Sequence, residues 1–207
     1  GTLFPYTTLF RSPFGILLVM GSRTQIMDAA LELFAARGYD SVGVQEVCMR
    51  AGVTKPTLYH YFSNKRGLID AVLSDSVDEL ETRLEPALAY DGDMPATLER
   101  IIEVFLSFAE ERPRFTRLLL SLQYAPEQSE AREAVRPYYD QLLERFKALF
   151  LEAAEDHGNM RGREEPYAVS FLGTVFTYIF LLLEGRISRD ESLAFRVMHQ
   201  FSHGIYS

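Results

Sequence analysis

Val42-Gly-Val-Gln-Glu-Val-Cys-Met-Arg-Ala-Gly-Val-Thr-Lys-Pro-Thr-Leu-Tyr-His-Tyr-Phe-Ser-Asn-Lys-Arg-Gly-Leu68 holds two short helical patterns on either side of a tight turn. Val44, Val47, Cys48 and Ala51 recur at helical spacing and give the first helix one buried face. Gly52 supplies the backbone freedom for a sharp turn, and Val53 is expected to plug the angle between the helices. Thr54 stands where an N-cap is wanted, and Pro56 falls in the first turn, where a missing N–H costs little. The second helix, expected over residues 55–61, buries Leu58 and leaves Lys55, Thr57, His60 and Tyr61 for other faces. A helix this short is not stable alone, so a polar end on it reads as a recognition element held by a larger unit. Together the pair form a helix-turn-helix, a shape that fits the major groove of DNA.

The stretch from Ala51 to Leu68, Ala-Gly-Val-Thr-Lys-Pro-Thr-Leu-Tyr-His-Tyr-Phe-Ser-Asn-Lys-Arg-Gly-Leu, closely resembles the DNA-binding domain of the TetR family of transcriptional regulators. Upstream, Ile26-Met-Asp-Ala-Ala-Leu-Glu-Leu-Phe-Ala-Ala-Arg-Gly-Tyr39 resembles that family's first helix. Several motifs at fixed spacing over about fifty residues carry the resemblance. It implies an all-α chain of about nine helices: a three-helix N-terminal domain that binds DNA and a larger helical body that binds a ligand and dimerises. The resemblance places Gln45, Lys55, Thr57 and His60 among positions that face DNA, and Tyr59, Tyr61 and Lys65 where the family commonly meets phosphates. Thr54, the N-cap, completes this candidate interface. The residue chemistry agrees: Lys can donate to guanine O6 and N7, Gln can pair bidentately with adenine, and Thr can offer a hydroxyl or touch a thymine methyl. Phosphate contacts fix register and supply salt-dependent affinity without reading sequence. The chain departs from the family at Val42 and Gly43, where Thr or Ser is usual. Glycine is a weaker N-cap, and one hydroxyl-to-phosphate contact is put in doubt.

Charge is distributed unevenly. The chain of 207 residues carries a formal net charge of -8, unlike an average nucleic-acid binder. Residues 22–68, however, hold six Lys/Arg against four Asp/Glu, while residues 69–207 hold fourteen against twenty-five. A slightly basic head on an acidic body would orient the molecule on DNA, although acidic helical faces also serve solubility alone. Hydrophobic residues at 47% and charged residues at 24% are ordinary for a globular protein. One cysteine excludes an intrachain disulfide framework and suits a reducing cytoplasm.

Three segments are expected: residues 1–21 as a non-native or disordered extension, 22–68 as the DNA-binding domain and 69–207 as the ligand-binding and dimerisation domain. Pro5 and Pro13 interrupt the first of these, and its apolar run Phe14 to Met20 is too short to span a bilayer. Native translation would then start near Met20, or else Arg11 and Arg23 would serve a minor-groove arm. Helix 1 is expected to start at Ser22, with Gln25 completing a capping box, and to end at Gly38. Its stripe is Ile26, Ala29, Ala30, Leu33 and Phe34, and Tyr39 should pack back on the core. Ser63 is expected to cap helix 4, whose stripe from Leu68 through Leu84 continues to about Tyr90 and crosses from head to body. Helices then follow at about 95–111, 113–123, 127–156 with Pro137 kinking or dividing it, 167–183 and 190–205. The helix at 167–183 has no charge and lies at the lower edge of a membrane span. Ser170, Gly173, Thr174 and Thr177 favour burial in a core or interface, and in the family the last two helices pair in a dimeric four-helix bundle. No membrane association is expected.

His199 and His203 stand at a spacing that can chelate a metal, but no third ligand is evident, and two histidines on a helix face are the simpler account. Cys48 reads as a small core residue rather than a redox sensor. No nucleophile elbow, phosphate-binding glycine loop or metalloprotease motif is present, so no catalytic residue, metal or cofactor is expected. The body's aromatics can line an apolar cavity with polar handles, or form a plain helical core. Phe105, Phe108, Phe115, Tyr124, Tyr138, Phe176 and Tyr178 are the ligand-site candidates. The function expected from the resemblance is a cytoplasmic homodimeric regulator, not an enzyme, that represses at a palindromic double-stranded DNA operator. A small apolar or aromatic effector would release it by favouring a state in which helix 4 misplaces the heads. The alternatives are a helical carrier or enzyme with a vestigial helix-turn-helix, and a protein-interaction scaffold.

Overall fold

A computed structural model describes residues 13–204, with side chains from Gly21 onward. Among the described residues nine α-helices follow one another: α1 Pro13–Arg37, α2 Val44–Ala51, α3 Lys55–Phe62, α4 Lys65–Ala87, α5 Met94–Glu111, α6 Pro113–Gln123, α7 Glu130–Ala153, α8 Glu164–Leu183 and α9 Leu193–His203. A single 3-10 turn, Gly158–Met160, links α7 to α8, and no strand occurs among the described residues. The all-α expectation therefore holds. The chain divides between Val72 and Leu73 into two compact units, with α4 running unbroken through the division.

In the first unit, α1 packs on α2 and α3, and α2 packs on α3. Ile26, Ala30 and Phe34 of α1, Val47 and Cys48 of α2, Leu58 and Phe62 of α3, and Leu68 and Ile69 of α4 are all buried. Tyr39 is buried with its ring 5.2 Å from that of Phe34, as its place after Gly38 suggested. Two boundaries differ from expectation. Helix α1 begins at Pro13, so Ser22 lies inside it and cannot be an N-cap. Proline at a first helical position has the right φ already, and nothing between Phe14 and Gly21 stops a helix that starts there. At α4 the cap is Asn64, whose Oδ1 accepts the Gly67 N–H at 2.7 Å. Ser63 is instead the left-handed residue that ends α3, at φ 56°. The predicted Ile205 and the first twelve residues, with Arg11, lie outside the described part.

The second unit is organised on α5, which buries Leu98, Ile101, Ile102, Phe105, Leu106 and Phe108 against neighbouring helices, α9, α8 and α6 among them. Asp93 starts α5 by accepting the Ala96 N–H at 3.0 Å. Phe146, Phe150 and Phe171 join α7 to α8 through ring contacts of 5.5–6.4 Å, and Phe201 of α9 closes the cluster. Each fully buried phenylalanine contributes about 1.5–3 kcal/mol of transfer free energy. Helix α7 is shorter than expected at both ends and is not divided at Pro137; Ser129 caps it. Helix α8 starts earlier than expected, at Glu164, and α9 starts later, because Asp190 accepts both the amide and the hydroxyl of Ser192 in a local turn. Arg83 of α4 pairs with Glu79 and with Glu111 of α5, and Arg112 pairs with Glu79, so one charge cluster fixes the α4–α5 edge.

Candidate nucleic-acid interface and body cavity

The turn between α2 and α3 is set by Gly52, at φ 67° in the left-handed region, with the Val53 N–H returning to the Cys48 carbonyl at 3.0 Å. Val53 is half-buried beneath it. Thr54 then caps α3: its Oγ1 accepts the Thr57 N–H at 3.3 Å and lies 2.9 Å from Thr57 Oγ1. With Leu58 and Phe62 anchored in the core, Lys55, Tyr59 and His60 are left exposed on the outside of α3. Thr57 and Tyr61 are half-buried, and the Tyr61 ring stands edge-on to His60 at 5.2 Å. Of the predicted residues on this helix, three are exposed and two half-buried.

The start of α2 adds Gln45, which is exposed. Val42 is buried, which explains an apolar residue there in place of a hydroxyl. Gly43 is the N-cap, in extended backbone, and its N–H donates to Glu46 Oε1 at 3.1 Å. Glu46 also pairs with Arg37, and these two partners, the Gly43 amide first, hold its carboxyl below the usual range. Lys65, at the start of α4, has its ammonium 4.0 Å from the centre of the Tyr39 ring and 5.9 Å from that of Phe34. The lysine proposed for phosphate contact is therefore also seated on the aromatic core of the head. Met49 was not anticipated: it is 67% exposed and stands one turn after Gln45 on α2. The spacing of four residues was the available signal.

Cys48 is buried, and burial pushes its thiol up, so little thiolate exists at neutral pH. His199 and His203 stack nearly parallel at 4.2 Å, and the Nδ1 of His203 donates to the His199 carbonyl at 3.1 Å. Among the described residues no group of three side chains is placed to hold a metal.

Within the second unit a cavity with room for about 30 Å³ of solvent lies between three helices. Val77, Leu80, Glu81 and Leu84 of α4, Leu119 of α6, and Tyr138, Tyr139 and Leu142 of α7 line it. The Tyr139 hydroxyl donates weakly, at 3.4 Å, to the Leu119 carbonyl, and burial raises its phenol far above the ordinary range. Of the seven aromatic candidates only Tyr138 lines this space. Phe105, Phe108 and Phe115 are core residues, and Phe176 stands behind Tyr139 with ring centres 5.8 Å apart. Tyr124 is 85% exposed, and Tyr178 lies in a shallow depression with Phe195, Arg196 and His199 on α8 and α9. The α4 residues were legible as an apolar stripe, but nothing in the stripe tells a cavity wall from a core; Glu81 within it was the one irregularity.

Comparison with known proteins adds the lineage of the first unit. The family described as bacterial regulatory proteins, tetR family, matches residues 26–72. The HTH-type transcriptional activator FasR of Mycolicibacterium smegmatis is 39% identical over 105 residues, covering 51% of this chain and 48% of that protein. The HTH-type transcriptional repressor KstR2 of Rhodococcus jostii is 34% identical over 82 residues, 40% of each chain. The aligned part is thus less than half the length of either relative. The nucleoid occlusion factor SlmA of a Marinomonas species is 24% identical over 175 residues, 84% of this chain and 85% of that one. Among solved structures, the transcriptional regulator FadR from Bacillus subtilis, in complex with stearoyl-CoA, superposes with a TM-score of 0.73 at 20% identity over 88% of this chain and 99% of the other. A TetR-like transcriptional regulator from a Rhodococcus species gives 0.67 at 21% identity over 87% and 93%. At those identities the likeness is one of fold.

Proposed function

The chain belongs to the TetR family of bacterial regulatory proteins, and from that premise we propose that it is a ligand-responsive transcriptional regulator that binds double-stranded DNA as a homodimer in the cytoplasm. The observation that carries the reading is the exposed end of α3, where Lys55, Tyr59 and His60 project from a helix anchored by Leu58 and Phe62. Lys55, Thr57 and Gln45 are the base readers, His60 stands beside them, and Tyr59, Tyr61 and Lys65 meet phosphates. Thr54 acts mainly by holding α3 in shape, since its hydroxyl is engaged with the backbone and side chain of Thr57.

Dimerisation through α8 and α9 is supported by what those helices leave uncovered. Ala168, Phe171, Leu172, Val175 and Ile179 face the body, while Val169 and Phe180 of α8 and Phe195 of α9 are exposed. Helix α8 is long and apolar enough to cross a bilayer, but its buried face packs on α5, α6, α7 and α9, an arrangement a symmetric partner completes without lipid. The effector would enter between α4, α6 and α7. The present cavity holds only a water or two, so an acyl-sized or aromatic ligand must spread those helices. Helix α4 continues into the first unit, which lets that displacement change the setting of the head. Repression relieved by ligand is the form of regulation we favour, the ligand binding more tightly to the state unfit for DNA.

A gel shift with the DNA flanking the protein's own coding region tests the reading. A retarded band at low salt, lost when an effector is added, is the expected result. No shift from a folded dimer at low salt would overturn it.

A further inference from the structure

One buried polar atom of α7 has no hydrogen-bond partner. Arg132 Nη1 is sealed from solvent and meets no hydrogen-bond acceptor. Buried guanidinium nitrogens are costly to leave unpaired, and native interiors rarely do so without a ligand, ion or water to answer them. Arg132 lies in the first turn of α7, seven residues before Tyr139, so the two share a face of that helix. The guanidinium is also close enough to favour the ionised form of the Tyr139 phenol, against the larger effect of burial. Tyr139 lines the cavity, and its hydroxyl is occupied only by the long contact to the Leu119 carbonyl. Glu81, the acid in the cavity wall, forms no ion pair with Arg132.

We infer that Arg132 anchors the anionic end of the effector: a carboxylate or phosphate oxygen carried on an apolar chain, with the chain lodged among Leu80, Leu84, Leu119 and Leu142. The inference rests on the ligand-binding reading of the body. An arginine and a protonated phenol on one helix face offer several N–H donors and one O–H donor to an anionic headgroup. The leucine walls give the chain an apolar seat, and the ligand brings the acceptor that the protein withholds. Spreading α4 from α7 is then coupled to satisfying Arg132, so a neutral chain of equal length drives the change less well.

The test is calorimetric titration of the full chain with four probes: dodecanoate, dodecyl phosphate, methyl dodecanoate and dodecyltrimethylammonium. Wild-type protein should bind one or both anionic probes at least roughly tenfold more tightly than the ester, the ratio expected for a charge-assisted hydrogen bond. Which anion binds more tightly identifies the headgroup. Arg132→Gln should bring the anions to the affinity of the ester and leave the ester unchanged, with a thermal melt showing that the variant is folded. Arg132→Lys should keep part of the preference. Equal binding of dodecanoate, dodecyl phosphate and ester by the wild type would overturn the inference alone, and so would an unaltered preference in a folded Arg132→Gln. Preference for the quaternary ammonium would move the polar contact to Glu81 and overturn it equally. Binding of none of the probes would overturn the inference together with the ligand-binding reading.

Discussion

Lys55 and Lys65 are both basic residues of the head, yet they stand in different surroundings. Lys55 opens α3 and is exposed. Lys55→Ala should therefore relax preference at one base pair by about 1–3 kcal/mol. Selection from a randomised site library reads this directly, and unchanged preference would remove Lys55 from the base readers. Lys65 is seated over the Tyr39 ring. Lys65→Ala should weaken binding to all sequences alike and lower the salt slope by about one. It should also cost the head about 0.5–1 kcal/mol, because the cation–ring contact goes with the charge. A thermal melt beside the binding isotherm separates the two effects, and a loss confined to one operator would contradict the phosphate role. The type and place of both lysines were readable from the sequence. The seat of Lys65 on Tyr39 was not, because it depends on how α1 and α4 meet in space.

At the level of elements, capping decided what could be read. Gly52 and Thr54 are local signals, and the break between α2 and α3 falls where they stand, whereas α4, expected to reach about Tyr90, ends at Ala87. The expectations that failed, Ser22 and Ser63 as caps, chose one hydroxyl among neighbouring polar residues. Asn64 captures the α4 amide because Ser63 is spent on the left-handed turn that ends α3. Gly67 has a role no pattern shows: a Cβ there would stand 2.4 Å from the Phe62 carbonyl oxygen, so the approach of α4 to α3 needs a glycine. Gly43 is different. A Cβ at Gly43 would meet only Glu46 Oε1, at 3.8 Å, and the backbone is already extended as a serine cap requires. Gly43→Ser should stabilise the head by a few tenths of a kcal/mol. It should also raise affinity for DNA through one more phosphate contact, seen as tighter binding with no change in base preference. A melt or isotherm unaltered by the serine would show that the hydroxyl has no phosphate to meet.

For the whole molecule, the uneven charge of head and body and the apolar α8 were legible as composition, and the family resemblance gave them meaning. The candidate ligand site was the least legible part. Large aromatics in a helical body serve core and cavity equally, and only the packing shows that Phe105, Phe108 and Phe115 do the first while Tyr138 and Tyr139 do the second. Phe180 is 49% exposed on α8, in the face assigned to the partner copy. Phe180→Glu should weaken the dimer by about 2 kcal/mol or more, as for an aromatic at the centre of an interface. Sedimentation should show monomer at concentrations where the wild type is dimeric, with helical content retained. Operator affinity should fall with it, since each head alone carries half the contacts.

A hydroxyl-radical footprint of the full chain on the DNA beside its coding region reads docking and symmetry in one lane. Two protected patches related by a dyad, with centres about one helical turn or a multiple of it apart, are the expected pattern. A single unpaired patch, or a folded dimer that protects nothing at low salt, would contradict the two-headed reader built on α3.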